Sequence, residues 1–154
     1  MGIDVAVSFS GTGLDSSVIV SGLSSYVSGS YTSPEGIGFT IDANAHLGIG
    51  GIAVQVLPAP SEDARSFAEV GGTNITLYDN ADPWTFAHEA QHNFGLDDTY
   101  LEGDGIFIST PGLMGTYGDH MINREATRLF ETYCGPLDAT GSFNYVSFDS
   151  TLPG

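Results

Sequence analysis

His88, Glu89 and His92 are the residues whose types and spacing most directly imply chemistry. They stand in the stretch Ala87-His88-Glu89-Ala90-Gln91-His92-Asn93-Phe94-Gly95-Leu96-Asp97-Asp98, which reads H-E-x-x-H-x-x-G-x-x-D. On a helix, residues at i and i+4 project from one face a turn apart, so both imidazoles can reach a single metal ion. Zinc accepts imidazole and carboxylate ligands, and a catalytic site keeps one of its four places for water. Glu89 sits beside the first histidine, where its carboxylate can take a proton from that water and pass it to a leaving group. One protein ligand is still needed. Gly95 lets the chain turn sharply out of the helix, and Asp98, three residues later, can swing back to the metal. Its neighbour Asp97 is the alternative, either as ligand or as the group that orients a ligating histidine.

Local signals then predict the elements that must position these groups. Asp82 and Pro83 are a cap and a first-turn residue, so a helix is expected from Pro83 to Phe94, stopped by Gly95. Strands are expected at Ile3–Ser10, Gly36–Asp42, Ile52–Leu57 and Asn74–Tyr78, from alternating or continuous apolar residues. A helix opening at Asp15 or Ser16 and ending at Gly29 fits the spacing of Val18, Ile19, Leu23, Tyr26 and Val27. Residues 31–35 read as a turn, 44–51 as a glycine-rich loop carrying His46, and 62–69 as a short helix or an irregular excursion. Residues 96–111 read as an acidic loop and 113–118 as a tight turn. Asn123–Cys134 has one apolar face (Ala126, Leu129, Phe130, Tyr133) and reads as a helix ended by Gly135-Pro136. Phe143, Tyr145, Val146 and Phe148 offer a last strand or an apolar tail. The whole is an α+β chain with a mixed twisted sheet, expected to form a single domain over 1–154 with a sheet-rich half, 1–82, and a half, 83–154, that carries the chemistry.

This pattern closely resembles the extended metzincin motif, H-E-x-x-H-x-x-G-x-x-H, with Asp98 in the last place, as in the snapalysin group of small metalloproteases. Met114, sixteen residues after Asp98, stands where metzincins have their Met-turn. The order strand, helix, strands, active-site helix, Met-turn and C-terminal helix is similar to theirs too. The resemblance implies a zincin fold and a zinc-dependent endopeptidase, with His88, His92 and Asp98 on Zn2+ and Glu89 as base. It also implies a role for Tyr117, three residues after Met114, as a stabiliser of the transition state; Tyr100 competes for that role. Residues 115–119, Gly-Thr-Tyr-Gly-Asp, loosely resemble the aspzincin segment that supplies a third ligand, which makes Asp119 or His120 a distant alternative to Asp98. Small H-E-x-x-H domains also resemble the C-terminal toxin domains of Rhs-type polymorphic toxins. That likeness implies a toxin or effector domain of a larger secreted protein, delivered into a target cell and met there by a cognate inhibitor or immunity protein.

Composition sets the outer bounds. The net charge is -16, from 19 acidic residues against Arg65, Arg124 and Arg128, with no lysine. Nucleic acid and anionic membrane are therefore excluded as expected partners, since both demand clustered basic residues. A protein or peptide substrate remains. The start Met1-Gly2-Ile3-Asp4 lacks the basic region of a secretory signal. Cys134, the only cysteine, permits no internal disulfide and reads as a buried small apolar residue. Asp98, Glu102 and Asp104 do not fit a calcium loop. His46 and His120 lack a partner at ligand spacing and are expected to be structural or exposed. Two other functional classes stay open: an inert binding module that keeps the fold, and a metal-dependent hydrolase of a non-peptide substrate. Extended substrate is expected along an edge strand near Ile52–Leu57.

Overall fold

In a computed structural model, residues 1–103, 105–135 and 145–147 are described, the last three and Leu101 by their backbone. The chain is a mixed α+β structure built on one mixed sheet. Its central strand β1 (Gly2–Ser10) is an almost continuous buried run, as a parallel strand flanked on both edges requires. β1 lies parallel to β3 (Gly38–Leu47) on one side and to β4 (Ile52–Leu57) on the other. β4 in turn pairs in parallel with β6 (Asn74–Tyr78). Antiparallel strands close both ends: β2 (Gly29–Thr32) beside β3, and β5 (Phe67–Ala68) beside β6. The order is β2-β3-β1-β4-β6-β5. β9 (Tyr145–Ser147) pairs with the first residues of β1, below the stretch that meets β4. Phe143 and Phe148 lie outside the described residues, as does Asp104.

The expected helix after Asp15 is two short pieces, α1 (Ser16–Ile19) and α2 (Ser21–Tyr26). At the break Ser21 Oγ donates to the Val18 carbonyl at 2.5 Å, the carbonyl that an unbroken helix would give to the Gly22 N–H. Gly22 lets α2 press on α3 (Pro83–Asn93), the helix that carries His88 and His92: a Cβ there would lie 2.0 Å from the Pro83 carbonyl oxygen. α3 also packs on β5 and β6, and α4 (Asn123–Cys134) packs on β2. One apolar cluster runs from Val5 and Val7 of β1 through Ile75 and Leu77 to Phe86, Ala90, Met114 and Leu129, so both halves of the chain share it. Cys134 packs half-buried against this cluster. No helix among the described residues is long and apolar enough to cross a membrane.

Further sequence expectations are corrected, among them the turn expected at 31–35, whose first two residues belong to β2. β3 continues to Leu47 through a stretch expected to be loop, because Ala43, Asn44, Ala45 and His46 complete a parallel ladder with β1. The acidic loop contains a small hairpin, β7 (Leu101–Gly103) and β8 (Ile106–Ile108). β4 is an interior strand, so substrate cannot lie along it; the sheet ends on that side at β5.

Candidate metal centre

α3 begins where expected. Asp82 is extended, and its Oδ1 accepts from the Thr85 N–H and hydroxyl, both at 2.8 Å. Every residue from Phe86 to Asn93 is buried, so the helix runs through the interior rather than over it. At its end Gly95 takes φ 98°. Gly95 N–H donates to the His92 carbonyl and Leu96 N–H to the Gln91 carbonyl, both at 2.9 Å. This pair of bonds is a Schellman stop, and it demands a residue with no Cβ penalty at position 95. The stop aims the Leu96 carbonyl back at the helix, where it accepts from His92 Nδ1 at 2.8 Å. Asp98 follows two residues later and lies over the two rings.

The three expected ligands meet. His88 Nε2 is 3.0 Å and His92 Nε2 3.3 Å from Asp98 Oδ1. One ligand atom from each of the three residues lies within 4.8 Å of the others, a spacing that suits one ion. The hydrogen bonds of the rings test that fit. His88 Nδ1 donates to the Leu113 carbonyl at 3.0 Å, and His92 Nδ1 to the Leu96 carbonyl. A carbonyl can only accept, so each Nδ1 carries a hydrogen, and each ring turns its Nε2 toward Asp98. Two imidazole nitrogens and a carboxylate oxygen converging in this way form a donor set that suits a divalent cation. The same geometry appears in the titration of the groups. Burial alone would raise Asp98, but the hydrogen bonds and charges of His88 and His92 outweigh it and hold its carboxyl far below the usual range. Burial alone would lower His92, but Asp98 and the Leu96 carbonyl outweigh it and raise the imidazole.

Glu89 is 5 % exposed and lines the same cleft. Its Oε2 is shielded from solvent and has no hydrogen-bond partner among the described residues. Burial pushes its carboxyl up to about 7, against the pull of His88 and His92, with Asp98 adding to the rise. The cleft is about 750 Å³, the size of a site for a small molecule or a few peptide residues. Trp84 forms one wall and stacks on His88 with ring centroids 5.0 Å apart, while its indole N–H donates to the Asp119 carbonyl at 3.1 Å. Phe67 and Ala68 of β5 form another.

The remaining candidates do not join the three converging side chains. Asp97 is exposed and faces Arg128 at 3.7 Å. Tyr117 lines the cleft, but its hydroxyl donates to Asp82 Oδ2, the other oxygen of the α3 cap. Tyr100 also lines the cleft, and burial followed by its hydrogen bonding to Asp98 raises its hydroxyl's pKa. Asp119 uses Oδ2 to accept from the Gly112 N–H at 3.0 Å and holds a turn. His120 packs on Tyr26, and exposed His46 faces Asp4. Met114 is fully buried in the turn below the histidines. The sequence reading missed Trp84 and Glu125. Only the second left a signal: Glu125 stands four residues before Leu129, a carboxylate within the apolar stripe of its helix. Compared with known protein families, curated proteins and solved structures, the chain matches none.

Proposed function

We propose that this protein is a zinc-dependent endopeptidase of the metzincin type. The observation that carries the reading is the convergence of His88 Nε2, His92 Nε2 and Asp98 Oδ1, with the buried Glu89 carboxylate beside them in one cleft. A zinc ion held by these three side chains would acidify a coordinated water and polarise a scissile carbonyl. Glu89 takes the proton from the attacking water and returns it to the departing amine. Leu96 and Leu113 hold the two imidazoles in the tautomer that leaves Nε2 available. β5 ends the sheet and lines the cleft, so an extended peptide can add to its outer edge by main-chain hydrogen bonds.

Glu89→Gln, assayed on a mixed peptide library beside a chelator-treated parent, is the test. The expected loss is about 10²–10⁴-fold in turnover with bound metal unchanged. A variant that retains its metal and cleaves as fast as the parent would show the mechanism to be wrong. A parent that binds zinc yet cleaves no peptide would point instead to an inert binding module or to a hydrolase of another substrate.

A further inference from the structure

Glu125 does not line the cleft, yet its side chain is bonded to the backbone that holds two of the three candidate ligands. It lies on the first turn of α4 and is 2 % exposed. Its carboxylate accepts three backbone N–H groups: Leu113 to Oε2 at 3.0 Å, Met114 to Oε1 at 2.9 Å and Ile122 to Oε2 at 3.1 Å. The Ile122 bond is the ordinary return of a third-position glutamate to the start of its own helix. The other two reach across to the turn beneath the histidines. Leu113, held by its N–H, offers its carbonyl to His88 Nδ1 at 3.0 Å. Met114, held in the same way, accepts from the N–H of Thr99 at 3.1 Å, and Thr99 is the residue after Asp98. Gly112 makes room for the clamp, because a Cβ there would sit 2.5 Å from Glu125 Oε1.

We propose that Glu125 is a positioning residue that sets His88 and Asp98 through the 112–115 turn. The inference rests on the metal-centre reading of those side chains. A buried carboxylate that spends its oxygens on N–H donors fixes the peptide planes bearing them. The Leu113 carbonyl shares its plane with the Met114 N–H, so the clamp fixes the direction of the His88 ring, and through the Met114 Cα it places the next plane, whose carbonyl holds Thr99. Ligand orientation set from outside the coordination shell governs metal affinity, and losing such a partner costs about 10–100-fold.

Glu125→Gln tests the clamp, since the amide nitrogen sets a donor against a backbone donor without changing size. Zinc affinity is measured by competition with a chromophoric chelator, and the visible absorption of the cobalt-loaded protein is recorded. The expected result is a loss in zinc affinity of about 10–100-fold and a shift of the cobalt bands. Leu129→Ala is the control, because it removes a fully buried side chain one turn along α4 and leaves every hydrogen bond of the Glu125 carboxylate in place. Below its melting transition this control is expected to keep the parental affinity and spectrum. If Glu125→Gln does not fold, Gly112→Ala drives a methyl against the same carboxylate and carries the same expectation. The proposal is overturned if the folded variant matches the parent in affinity and spectrum, or if Leu129→Ala weakens zinc equally. A parent that binds no zinc overturns the metal reading first, which separates the two failures.

Discussion

At the scale of single residues, the third ligand is the sharpest question. Asp97 and Asp98 are adjacent and chemically alike, and spacing from Gly95 favours the second without excluding the first. The choice is made by backbone geometry: the stop at Gly95 and the Leu96 carbonyl bond to His92 fix where the chain emerges, which brings Asp98 onto the rings and leaves Asp97 beside Arg128. Asp98→Ala is therefore expected to weaken zinc by more than the about 100-fold upper cost of losing an outer hydrogen-bond partner. Asp97→Ala removes only an exposed ion pair and is expected to stay within about fivefold of the parent. A chelator-competition titration reads both. The reverse ranking would move the ligand to Asp97.

At the scale of elements, Gly95 does two things at once. It ends α3 and, through that stop, sets the Leu96 carbonyl against the candidate ligand His92. Nothing lies within 4 Å of a Cβ built at Gly95, so Gly95→Ala meets no clash and its whole cost is conformational. That cost is about 1–2 kcal/mol for a left-handed residue. The expected fall in melting temperature is roughly 2–8 °C at this chain length, accompanied by weaker zinc binding. A fall in stability with zinc affinity intact would uncouple the stop from the site. α3, α4, β1, β4 and β6 were legible because each carries its own periodicity or caps: Asp82-Pro83 opens α3, and Ile52, Val54 and Val56 alternate along β4. The elements that were not legible depend on partners distant in sequence. β2 is Gly29-Ser30-Tyr31-Thr32, with little strand character until it meets β3. β5 is two residues long and exists only as a pair with β6. Asn93 ties α3 to the end of the sheet through the Glu69 and Asn74 carbonyls, and neither bond has a sequence signature. In the site, the candidate side-chain ligands were legible from their spacing, whereas the Leu96 and Leu113 carbonyls that orient the two histidines carry no mark of residue type.

At the scale of the whole molecule, charge decides what approaches. The net charge is -16, and only three cations offset the acidic residues. Two of those three face acidic side chains of the ligand-bearing segment: Arg65 is 3.7 Å from Glu102, and Arg128 is 3.7 Å from Asp97. Little positive charge remains to attract an acidic chain. Under the proposed activity, peptides rich in Lys and Arg are expected to be cleaved with kcat/KM at least about tenfold above matched acidic peptides at low ionic strength. The difference should shrink toward parity near ~1 M salt, where screening acts within about 3 Å. Equal rates at low salt, or a preference for acidic peptides, would show that local contacts rather than the field of the molecule select the substrate.

Trp84 is the only tryptophan in the chain, and its ring lies against a candidate ligand ring at 5.0 Å between centroids. All indole emission from this protein therefore originates beside His88. Seating an open-shell ion such as Co2+ there opens a quenching route for that one fluorophore, while a closed-shell ion such as Zn2+ changes only the charge beside it. The intrinsic fluorescence of the unlabelled protein thus distinguishes loading of this centre from adventitious binding elsewhere on an acidic surface.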